Sequence, residues 1–70
     1  MKKFVYPVFE FTYDVDGGGG TLLIASRDSE DAINEVNRLP VGFGKWEYQC
    51  EVKSLKSDRL GIISQFKYAN

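Results

Sequence analysis

Seventy residues, with 43% hydrophobic and 14% aromatic content, make a single globular domain over residues 1–70, near the size at which one core only just outweighs chain entropy. Nine Lys and Arg against ten Asp and Glu leave a net charge of −1, so no long-range field draws polyanions and nucleic acid is a poor partner. Histidine is missing, which removes the usual general base near neutral pH and the commonest zinc and copper ligand, and no stretch of about 18 apolar residues is available to cross a membrane.

The chain begins Met1-Lys2-Lys3-Phe4-Val5, basic and then apolar, but Glu10 and Asp14 interrupt the run and no small-residue cleavage site follows, so no export signal is expected. The lone Cys50 cannot form an intramolecular disulfide, and a small domain of an oxidising compartment is usually stapled by several. The expected location is therefore the cytoplasm.

Residues 4–15 alternate with period two, which predicts a first strand. Val5, Phe9, Phe11, Tyr13 and Val15 share the core-facing phase, and Glu10, Thr12 and Asp14 the other. The first half of the strand is apolar in both phases, as a central strand covered on both faces would be. Pro7 lacks a ladder donor and marks a bulge or break. Asp16 and the four glycines at 17–20 then read as a hairpin loop. A phosphate cradle would need them to lead into a helix, whereas Thr21-Leu22-Leu23-Ile24-Ala25 continues as a strand.

Asp28 is placed to cap a helix starting at Ser29, with Asp31 at the third position and Glu30 favourable to the dipole. Ala32, Ile33, Val36 and Leu39 form one apolar stripe, Asn34, Glu35, Asn37 and Arg38 face away, and Pro40 closes the run. After a turn at 41–44, Trp46, Tyr48, Cys50 and Val52 alternate with Lys45, Glu47, Gln49, Glu51 and Lys53, predicting a third strand with Cys50 packed inward and inert. A polar turn at 56–59 precedes a fourth strand in which Leu60, Ile62, Phe66 and Tyr68 share the inward phase.

The expected fold is α+β: a two-layer ββαββ domain whose four-stranded, mainly antiparallel sheet has order 2-1-3-4, with one helix on one face. One helix covers one face, and Phe4, Tyr6, Val8, Leu22, Ile24 and Ile63 fall out of phase with the core. They are expected to gather as an apolar patch on the opposite face, an association surface. Glu47 and Glu51, with the acidic helix face, form the alternative interface.

No catalytic, cofactor or metal residue is nominated. Asp14-x-Asp16-Gly17 resembles the opening of a calcium loop but lacks the remaining ligands and the distal Glu. Basic residues interleaved with aromatics suggest an RNA platform only if Phe66 and Tyr68 face outward, against their phase.

The segments Leu23-Ile24-Ala25, Glu30-Asp31-Ala32, Pro40-Val41-Gly42-Phe43 and Glu51-Val52 resemble the strand-helix-turn-strand unit of small phage-encoded inhibitors, such as the podovirus-type inhibitor of bacterial RNA polymerase. Small anti-CRISPR proteins have a similar layout. The resemblance implies a stoichiometric binder that blocks a host enzyme in the host cytoplasm. The chain departs from that pattern in its tetraglycine loop and its full C-terminal strand, and no contact residue carries over. The sequence thus leads to a non-enzymatic protein-binding module, with a self-associating homodimer as the alternative.

Overall fold

The computed structural model describes residues 5–15, 18–39 and 46–69. Strands β1 (Tyr6–Val15) and β2 (Gly18–Ala25) are followed by helix α1 (Ser29–Asn37) and by strands β3 (Glu47–Ser57) and β4 (Gly61–Ala69). All pairings are antiparallel and the sheet order is β3-β1-β2-β4. The protein is thus an α+β domain with β1 and β2 both central. β3 lies beside β1 as expected, but β4 pairs with β2 rather than with β3, which corrects the order 2-1-3-4. Phe4 lies outside the described residues.

The helix forms for the reasons its sequence carries. Asp28 is extended (φ −156°, ψ 176°) and its Oδ1 accepts from the Asp31 amide at 2.8 Å, satisfying one of the orphan donors of the first turn. Ala32 and Val36, one turn apart, are buried against the sheet, with Ile33 and Leu39 packed at their sides.

The register of β1 with β2 decides what those residues meet. Val15 pairs with Gly18, so Gly18, Gly19 and Gly20 belong to β2 and not to a long loop. Phe11 then stands opposite Leu22, and Phe9 opposite Ile24. Directly opposed residues of antiparallel strands point to the same face. Leu22 and Ile24 therefore join Phe9, Phe11, Ala32, Val36 and Trp46 in the core beneath the helix, and are buried there. Their expected place on the outer face is corrected: the residues of β2 alternate between its faces, but which of them face the helix hangs on how many glycines enter the ladder.

Val8 is also buried, not exposed. It pairs with Ala25, likewise buried, on the face away from the helix and at the end of the sheet where β3 leaves its register between Pro7 and Phe9. There Ser57 lies beside Tyr6 on one edge and Gly61 beside Ala25 near the other. Three residues, 58–60, link these positions across two intervening strands. An extended link of that length reaches about 14 Å, and three interstrand spacings of about 4.8 Å amount to the same distance. The link leaves no slack for a flat sheet. Such a crossing needs a bend, bulges in β3 and β4 lie toward this end of the sheet, and Val8 and Ala25 are buried there.

Gly20 is held by its neighbours. A Cβ there would come within 2.6 Å of the Phe66 carbonyl oxygen, 3.1 Å of the Tyr13 ring and 3.3 Å of Trp46. The Tyr13 and Trp46 rings meet edge to face over this glycine, with centroids 4.5 Å apart. Gly20→Ala is expected to destabilise the fold by about 1–3 kcal/mol, since the closest obstacle is backbone that cannot rotate away; the urea midpoint measures it. Trp46→Ala should cost about 3–5 kcal/mol of stability, measured in the same way. Phe66→Ala, at a side chain 62% exposed, should cost less than about 1 kcal/mol.

Candidate functional site

A helix of nine residues is about 13 Å long and about 10 Å across, enough to roof two strands spaced about 4.8 Å apart but not four. It roofs β1 and β2. Among the described residues no second layer covers the two outer strands, and their sequences treat that exposure differently.

The β3 edge is defended against further pairing. It carries Glu47, Glu51, Lys53 and Lys56, with Glu51 and Lys56 in an ion pair at 3.6 Å, and its pairing with β1 slips twice. Charges and bulges on an edge are what discourage another strand from adding to it. The second slip, between Glu10 and Phe11, also flips the phase of the strand. Tyr48 pairs with Phe11 and stacks near both Phe11 (5.4 Å) and Phe9 (6.1 Å) on the helix side. Cys50 pairs with Glu10 on the other side and is exposed, which corrects its expected burial.

The face away from the helix is therefore mixed, not an apolar patch. Glu10, Thr12, Thr21, Gln49 and Cys50 share it with Leu23 and Phe66, and Gln49 Nε2 donates to Thr12 Oγ1 at 2.8 Å. Of the residues nominated for partner binding, Leu22 and Ile24 are buried in the core beneath the helix and Val8 is buried on the other face, Tyr6 is half-buried, and Glu51 is half-buried in its pair with Lys56. Glu47 and Ile63 are exposed.

Ile63 does not stand alone. Leu60, Ile62, Ile63 and Phe66 are all exposed, the two isoleucines at 47% each, and residues 60–66 include no charged side chain. The expectation that Leu60, Ile62 and Phe66 face the core assumed that β4 was covered. On the outside of β2 it is not, and a bulge between Leu23 and Ile24 shifts its phase as well. The signal that could have found this edge is its lack of charge beside the charged β3. Gly61, at φ +114°, opens the strand in a conformation suited to glycine. Next to it an open groove of about 360 Å³ runs between β4 and the helix, lined by Ile24, Ser26, Asp31, Glu35, Leu60 and Gly61 among others.

Among the described residues no group of His, Cys, Asp and Glu is arranged to hold a metal ion, and no helix is long and apolar enough to cross a membrane. No protein-family model, curated protein or solved structure matches the chain.

The Cys50 thiol, although exposed, has its pKa raised, first by shielding from solvent among its neighbours and then by the Glu10 carboxylate, which repels a thiolate and accepts from Sγ at 3.7 Å. A raised pKa means less thiolate at a given pH. Native Cys50 should thus be accessible to a thiol reagent but react more slowly near neutral pH than an unperturbed cysteine. Glu10→Gln should speed the reaction by removing the repulsion. Labelling rates followed against pH for the two proteins measure the shift.

Proposed function

We propose that this protein is a non-enzymatic binding module that recognises another protein by adding one of its strands to the open edge of β4. The observation that carries the proposal is the asymmetry of the two edges: β3 is charged and twice bulged, whereas residues 60–66 of β4 expose apolar side chains without a charge. An edge strand offers a row of backbone donors and acceptors, and strand addition uses it for affinity while side-chain contacts supply selectivity. The resemblance to phage-encoded inhibitors makes a bacterial enzyme such as RNA polymerase the first target to try, in the host cytoplasm.

Pairing of β4 with β4 of a second copy is the other reading. It is favoured by the same uncharged stretch, because two copies meeting antiparallel over residues 60–66 would set no like charges against each other.

Ile62→Lys combined with Ile63→Lys tests both. Charge at an exposed edge blocks strand addition with little effect on a core that neither side chain fills. The thermal midpoint should stay within a few degrees of wild type. If the wild type sediments as a dimer, the variant should sediment as a monomer. If the wild type is a monomer that retains a defined bacterial enzyme, the variant should lose that partner. Wild-type association that survives both substitutions would remove the β4 edge as the interface.

A further inference from the structure

We draw no further inference here: the strongest candidate, the open groove between helix α1 and β4, is walled on the helix side by the two surface carboxylates of Asp31 and Glu35, and nothing among the described residues shows what occupies it.

Discussion

The pairing of Phe9 with Ile24 and of Phe11 with Leu22 is the constraint on which the rest of this small structure depends. It gathers four large apolar side chains on one face of two adjacent strands, and that face is as wide as one short helix can cover. Ala32 and Val36 then need only one turn of the helix to close the core from above, and Trp46 closes it from the side, edge to face with Tyr13 over Gly20. Slipping the ladder by one residue would send Leu22 and Ile24 to the other face and leave the helix packing on Leu23 and Thr21. In a domain of 70 residues no second core could make up for that loss.

The same economy explains why the molecule has uncovered edges. A sheet of four strands under a helix two strands wide must leave β3 and β4 outside the roof. The chain fills β3 with acids, lysines and irregular pairing, and Tyr48 is the part of that strand which leans back onto Phe9 and Phe11. It leaves β4 uncharged from Leu60 to Phe66. Since β4 and β3 are joined by only three residues across the end of the sheet, the strand is anchored at that end by its own connection, while among the described residues no strand pairs with its outer side.

Much of the architecture is written locally. Asp28 and Asp31 announce the start of the helix, the spacing of Ala32 and Val36 names its buried stripe, and the alternation of Phe9, Phe11 and Tyr13 names the core face of β1. Each of these depends on residues within one or two turns of each other, and such signals survive whatever the rest of the chain does. Trp46 as a core residue and the α+β class follow in the same way.

The faces of β2, β3 and β4 are not local properties. Four consecutive glycines fit a loop of several lengths equally well, and only the pairing of Val15 with Gly18 settles that Leu22 and Ile24 point inward. One unpaired residue in β3 turns Cys50 outward to Glu10, and another in β4 breaks the phase between Ile62 and Ser64. Alternation carries no record of such an insertion, because each half of a bulged strand still alternates. The neighbour of β4 was equally out of view. A short polar turn before the last strand suggests a hairpin with β3, but the free side of β3 is charged and the strand is twice bulged, and the last strand pairs with β2 instead. Whether Leu60, Ile62 and Ile63 are core or surface follows from that choice of side, since side chains on an edge strand are buried only where another layer reaches them, and here the helix stops short.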